Sequence, residues 1–455
     1  MITLKKIAAY AVFAGATSLF CINYAQAAIA IEQWTQPSGV QVYLVPSPAI
    51  PMLDVQLDFD AGSRRDPQGQ AGLAGVIASM TAKGVLASGA EPALDENALG
   101  QAWADLGASF NAGASGDRMS FSLRSLTYPD LLSQATALAA RQLGAPAFPG
   151  AIWQRERETL NAAIKEANTQ PATLAARAFS TAVYGQHPYG FEMTEATLAR
   201  ISVDDMQAAY RALILPCRAK VTLVGAINRA QADALVTQLF APLLTQAATP
   251  SACPALPAVP EVAPLAQASE QHIAFDSAQA HVLIGQPGYK RDDPDYFALT
   301  VGNYILGGGG FVSRLTNEVR EKRGLSYSVY SYFAPGLHAG AFTLGLQTRP
   351  DQADQAVQVS RDVLANFVAH GPTAAELKAA KANLIGGFAL RVDSNRKLLD
   401  NVANIAWNKL PLDYLARWTQ QVEKVSAADI KAAFARKLQP EKMVAVVLGG
   451  AAKAP

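Results

Sequence analysis

Histidine and cysteine are scarce in this chain: its 455 residues hold five of the first and three of the second. The histidines are His187, His272, His281, His338 and His370, so no two stand four apart. That spacing excludes a helix that turns two imidazoles toward one metal ion. Cys21 lies in an N-terminal leader, while Cys217 and Cys253 have no histidine nearby, which excludes a mixed cysteine–histidine site. Whether these two form a disulfide is open, because separation in sequence says nothing of distance. A surplus of one charge is also missing. The 38 basic residues offset 37 acidic ones and no basic cluster follows the leader, so nothing electrostatic points to nucleic acid or an anionic membrane. There is no G-x-S-x-G elbow for a serine nucleophile. Gly307–Gly310 lacks the Lys-Ser/Thr of a phosphate-cradling loop and reads as a flexible strand–helix connection.

The leader is informative. Lys5 and Lys6 precede an apolar run from Ile7 to Ile22, and Ala25-Gln26-Ala27 follows. This is the pattern of a secretory signal peptide, residues 1–27, cleaved after Ala27. The run is short of the ~20 apolar residues a membrane span needs, and the bulky Phe20 before Cys21 argues against lipid attachment. No later segment reaches membrane length. The expectation is an exported chain, periplasmic or secreted, in a compartment that permits a disulfide.

The length is too great for one hydrophobic core. Between positions 245 and 269 stand Pro250, Pro254, Pro257, Pro260 and Pro264, a density that neither a helix nor a central strand tolerates. An extended linker there divides the mature chain into an N-terminal domain, 28–244, and a C-terminal domain, 270–455. The two resemble each other. Ser202-Val-Asp-Asp-Met-Gln-Ala-Ala-Tyr210 matches Ser426-Ala-Ala-Asp-Ile-Lys-Ala-Ala-Phe434, and without a gap Pro216 falls on Pro440 and Gly225 on Gly449. In each copy a serine caps a helix with an acidic first turn, then a proline turn leads to an apolar strand, Val221–Val224 or Ala445–Leu448. Internal duplication explains the match.

Val40–Val45 reads as an apolar strand. Val55, Leu57 and Phe59 alternate with polar residues as in a half-buried strand, and Met119, Phe121 and Leu123 alternate with serines. Helices are predicted over Leu131–Leu143, Trp153–Ala167, Thr173–Tyr184, Gln352–His370 and Ala374–Leu390. Hairpins followed by runs of helices indicate an α+β fold, in which each domain is a mainly antiparallel sheet packed against a layer of helices.

Ala61-Gly-Ser-Arg-Arg-Asp-Pro-Gln-Gly-Gln-Ala-Gly-Leu-Ala-Gly-Val-Ile-Ala-Ser-Met-Thr-Ala-Lys-Gly84 resembles the active-site segment of the M16 (insulinase, or pitrilysin-like) metallopeptidases. In that family a strand ends at A-G-S, and the next helix carries H-x-x-E-H followed by M-x-x-K/R-G. The histidines share one helical face and bind zinc, and the glutamate activates the attacking water. Here the first histidine falls on Gly75, the glutamate on Ala78 and the second histidine on Ser79, while Gly72, Met80, Lys83 and Gly84 are kept. The family's third ligand, a glutamate six residues after an arginine, falls on Ala163 if Arg157 is that arginine; Glu158 and Glu166 are close by. The resemblance implies that this chain binds no metal and hydrolyses no peptide by itself. Tyr184-Gly-Gln-His-Pro-Tyr-Gly190 fits a turn element of the family, which gives His187 a structural role.

Ser313-Arg-Leu-Thr-Asn-Glu-Val-Arg-Glu-Lys-Arg-Gly-Leu-Ser-Tyr-Ser328 resembles the family's C-terminal signature. There an arginine and a tyrosine seven residues later reach across to the zinc-bearing domain, and they carry over to Arg320 and Tyr327. A guanidinium can grip a substrate carbonyl or carboxylate, and a phenol can donate to an oxyanion. The plainer reading pairs Arg320 with Glu321 or Glu318 on a helix surface and puts Tyr327 in a core. Asn111-Ala-Gly-Ala also matches the family. Asn111 and Ala112 then belong either to a strand edge that holds extended peptide or to an ordinary strand.

The implied function is that of a non-catalytic subunit of an exported, heterodimeric M16 zinc peptidase. The zinc is expected in the partner, Arg320 and Tyr327 act in trans, and the substrate is a peptide or unfolded polypeptide. The alternative is a homodimeric scaffold or peptide-binding protein of the same fold, and a third option is an active enzyme with unusual ligands.

Overall fold

The computed structural model describes residues 29–89, 91–246 and 253–450; the expected signal peptide lies outside the described residues. The first half contributes β1 (Glu32–Thr35), β2 (Gln41–Pro46), β3 (Met52–Phe59), β4 (Gly84–Val85), β5 (Leu94–Asp95), β6 (Ser109–Ala114), β7 (Met119–Leu126) and β8 (Lys220–Gly225). Its helices are α1 (Leu73–Met80), α2 (Glu96–Asp105), α3 (Pro129–Gly144), α4 (Gly150–Ala167), α5 (Pro171–Tyr184), α6 (Glu195–Leu198), α7 (Val203–Leu213) and α8 (Arg229–Gln246). The second half contributes β9 (Ser269–Ile273), β10 (Ala280–Pro287), β11 (Val329–Phe333), β12 (Ala341–Thr348) and β13 (Val444–Leu448). With them come α9 (Tyr296–Asn303), α10 (Ala353–His370), α11 (Ala374–Gly386), α12 (Asn395–Trp407), α13 (Tyr414–Lys424) and α14 (Ala427–Lys437).

The larger sheet runs β1-β2-β8-β3-β7-β6 and the smaller β11-β12-β10-β13-β9. Each is antiparallel except at one pair, β2 with β8 and β13 with β9. The duplication is visible in that detail, for β8 and β13 each lie between one parallel and one antiparallel neighbour. The helices that precede them carry the same capping box, Ser202 with Asp205 and Ser426 with Asp429. This is the expected α+β architecture, a mainly antiparallel sheet packed against helices in each half. One helix is shorter than its sequence suggests: α11 ends at Gly386, and a separate 3₁₀ turn covers Phe388–Arg391.

One face of each sheet is covered by helices of its own half, which builds the two main cores. The other face is covered by a helix from the opposite half. Helix α5 lies on β10 and β13, where Ala175, Phe179 and Val183 meet Ala341, Val444, Val446 and Leu448. Helix α12 lies on β2, β3 and β8, where Leu398, Leu399, Val402 and Ile405 meet Tyr43, Val45 and Val224.

This exchange corrects the reading of β3 as half-buried. Asp54, Gln56 and Asp58, on its polar face, are all buried beneath α12. Buried carboxylates require partners, and Arg124 and Arg118 supply them at 2.9 Å and 3.1 Å. Lys220 donates to the Ala406 and Trp407 carbonyls at the end of α12, at 2.8 Å and 3.0 Å, and burial draws its pKa down to about 8.

The described part of the linker, from Cys253, is tied down at several points. A Cys217–Cys253 disulfide fixes Cys253, Arg218 and Arg65 donate to the Pro254 and Pro257 carbonyls, and Glu261 pairs with Lys290. Among the described residues no helix is long and apolar enough to cross a membrane.

Candidate functional site

Helix α1 begins where Asp66 accepts the Gly72 and Ala74 N–H groups, at 2.9 Å and 3.0 Å. Burial pushes that carboxyl up to about 6 against the pull of these donors. Gly72 opens the helix with φ +103°, and a Cβ there would lie 2.7 Å from Met193, so glycine is required twice over. Leu73, Ala74, Val76, Ile77, Ala78 and Met80 pack inward. Gly75 and Ser79 are left exposed one turn apart on the same face.

The helix therefore turns one face outward, and that face carries no imidazole or carboxylate. A Cβ at Gly75 would meet nothing within 4 Å, so the space there is open to a larger side chain. Ser79 turns its hydroxyl back to the Val76 carbonyl at 2.9 Å. Lys83 closes the segment by bridging Glu96 of α2 and Glu156 of α4, at 2.6 Å and 3.1 Å. That network anchors α4, on which Ala163 is exposed, as are Glu158 and Glu166. Among the described residues no three His, Cys, Asp or Glu side chains are grouped to hold a metal ion, and the residues at Gly75, Ala78, Ser79 and Ala163 do not fit zinc.

Asn111 and Ala112 lie on β6, at the end of the strand order, with one side of the strand unpaired in its sheet. Helix α1 packs against the same strand. The edge and the Gly75–Ser79 face are thus neighbours. His187 caps the turn at Pro188–Gly190 by accepting the Tyr189 N–H at 3.1 Å, and its ring packs on Tyr189 and His338. Burial lowers its pKa.

In the second half Leu315, Thr316 and Val319 bury one side of the signature helix, and Arg320 emerges from the other. Arg314 fixes the start of this helix through a forked contact with Glu376, at 2.6 Å and 2.7 Å. Burial alone would raise the Glu376 carboxyl, yet Arg314 and the Thr373 cap hold it at about 2. A folded pKa below the unfolded one stabilises above the unfolded value of about 4.3 and is lost as pH falls toward 2. Glu376→Gln is expected to cost about 1–3 kcal/mol at pH 7. Its deficit against the native chain, read by urea unfolding, should shrink steadily below pH 4; an equal deficit at both ends would remove the charge from the explanation.

Glu318 pairs with Lys322 and Arg323, and among the described residues Arg320 has an ion pair with Glu321 alone, at 3.4 Å. The plainer alternative for Tyr327 fails: its side chain is 83% exposed. Leu325, Ser326 and Val329 around it are buried, with the Ser326 hydroxyl 2.7 Å from the Ser328 and Gln347 carbonyls, so the neighbours hold the phenol outward. The Arg320 guanidinium carbon lies 4.9 Å from the Tyr327 ring centre and 4.9 Å from that of Phe311. Phe311 is 75% exposed and was not singled out in the sequence; an aromatic directly after four glycines is the signal that marks it. The described ion pair and ring contacts of Arg320 all lie within its own segment and do not reach α1. Gly307–Gly310 is no strand–helix connection; it joins α9 to the signature helix through π and 3₁₀ turns.

Two family models match the chain: "Insulinase (Peptidase family M16)" over residues 42–197 and "Peptidase M16 inactive domain" over residues 200–384. A solved structure of a peptidase M16 inactive domain from Pseudomonas fluorescens is 34% identical, covers 93% of this chain and 99% of its own, and superposes with a TM-score of 0.85. The chain belongs to the M16 peptidase family. Among other M16 relatives, an uncharacterized zinc protease of Streptomyces coelicolor is 30% identical over 262 residues, 56% of this chain and 55% of that protein. The non-peptidase homolog YmxG of Helicobacter pylori is 32% identical over 165 residues, 36% of this chain and 38% of that one.

Proposed function

We propose that this chain is the exported, non-catalytic subunit of a two-chain zinc peptidase. One observation carries the proposal: helix α1 keeps its frame yet carries no donors on its exposed face, while Arg320 and the exposed Tyr327 have described contacts only within their own segment. A zinc-bearing M16 homologue would supply the metal and the activated water. Arg320 would grip a carbonyl or carboxylate of the peptide, and the Tyr327 hydroxyl would donate to the oxyanion that forms on attack. The free edge of β6 at Asn111 and Ala112 would hold extended peptide as an added strand. The leader and the Cys217–Cys253 disulfide support a periplasmic or secreted location.

The test is co-purification with an H-x-x-E-H-bearing homologue from the same source, followed by a peptidase assay of the complex and of each chain alone. A heterodimer that cleaves peptides faster than the zinc chain alone is the expected result. A stable homodimer that ignores that homologue would favour a scaffold or peptide-binding protein, the reading that the Helicobacter pylori name supports.

A further inference from the structure

The glycine run and the aromatic beside it have no part in the function proposed so far, yet both are built with care. A Cβ at Gly307 would lie 2.4 Å from the Ser331 hydroxyl, one at Gly308 2.8 Å from the Asn303 amide, and one at Gly309 2.6 Å from the Tyr304 carbonyl. The first three glycines are close-packed against their surroundings, whereas Gly310 faces open space and takes a left-handed φ of +60°. Asn303 and Ser331 lock it further, exchanging hydrogen bonds of 3.0 Å and 2.8 Å. This turn delivers Phe311 and Val312 to the surface, 75% and 72% exposed, where water would ordinarily disfavour both. The Phe311 and Tyr327 rings each lie 4.9 Å from the Arg320 guanidinium carbon, and the described ring contacts do not pair the two aromatics with each other. The guanidinium is thus in contact with both rings; its Nε faces Glu321 at 3.4 Å, and no described hydrogen bond engages its two terminal NH2 groups, which can grip a planar acceptor.

We infer that Phe311 is a positioning and specificity residue of the Arg320–Tyr327 site. Its ring fixes the guanidinium, and with Val312 it forms an apolar rim that takes a bulky apolar side chain of the peptide gripped by Arg320. The inference rests on the reading of Arg320 and Tyr327 as groups offered to a partner's substrate. Its positioning half can be tested without any partner.

In the full chain alone, phenylglyoxal labelling of Arg320, followed by peptide mapping, reads how firmly the guanidinium is held. Phe311→Ala should speed labelling at Arg320 at least about threefold, and Phe311→Tyr should restore the slow rate. An unchanged rate in Phe311→Ala overturns the clamp. In the assembled pair, internally quenched peptides that differ only by Leu or Ser at one position read specificity. Phe311→Ala should lower kcat/KM roughly three- to tenfold for the Leu peptide and leave the Leu:Ser ratio near one. Equal losses on both peptides overturn the rim. If Arg320→Ala leaves cleavage intact while Phe311→Ala still speeds labelling, the active-site complementation fails and the clamp stands.

Discussion

In the assembled peptidase, Tyr327→Phe and Arg320→Ala should each lower kcat by roughly 10²–10³-fold, the scale on which a single donor to a developing oxyanion acts. Both changes are unusually clean. The Tyr327 ring is exposed and, among the described residues, its hydroxyl has no hydrogen-bond partner, so losing one oxygen removes nothing from the fold. Arg320 forfeits two ring contacts and a 3.4 Å ion pair with Glu321, all at the surface. Exposed pairs of this kind contribute about 0–1 kcal/mol, so Tm should hardly move. A loss in kcat with KM unchanged marks groups that act in the transition state, whereas a rise in KM alone would reduce them to peptide-binding contacts.

Phe179→Ala is expected to cost about 3–5 kcal/mol, and the loss should appear in the half of the molecule to which Phe179 does not belong. Its ring is buried against the C-terminal sheet, so closely that a Cβ at Gly285 of β10 would lie 2.8 Å from it. Deleting the ring leaves a cavity where α5 meets β10 and β13. Hydrogen exchange gives the direct reading: amides of β10 and β13 should lose protection by as large a factor as those of α5. Faster exchange confined to α5 would mean that the helix rests on the second sheet without supporting it.

The exchanged helices mark the limit of what the residue pattern could convey. Periodicity places Thr173–Tyr184 in a helix and shows an apolar stripe, but a stripe does not name the sheet it meets. For the same reason the alternation at Gln56, Asp58 and Asp60 suggests a wet face, yet Gln56 and Asp58 are buried and Asp60 is half-buried. Only the approach of α12 from the other half, with arginines supplied by β7 and its turn, makes it a buried one. Capping residues and turn prolines were legible because their chemistry is local, as the paired boxes at Ser202 and Ser426 illustrate. That Gly75, Ala78 and Ser79 offer neither an imidazole nor a carboxylate can be read from letters alone. The outward pose of Tyr327 could not, since an aromatic between Leu325 and Val329 fits a core equally well until its neighbours turn inward. The disulfide depended on distance, which the linker's path supplies.

The central claim is that this chain is half of a peptidase. It is tested most directly by titrating the purified chain into a fixed amount of its zinc-bearing homologue and following cleavage of an internally quenched peptide. The account predicts activity that rises and levels off at one chain per homologue, is abolished by a chelator, and needs zinc only in the homologue. Stoichiometric zinc in the pure chain, with chelator-sensitive cleavage and no homologue present, would contradict it.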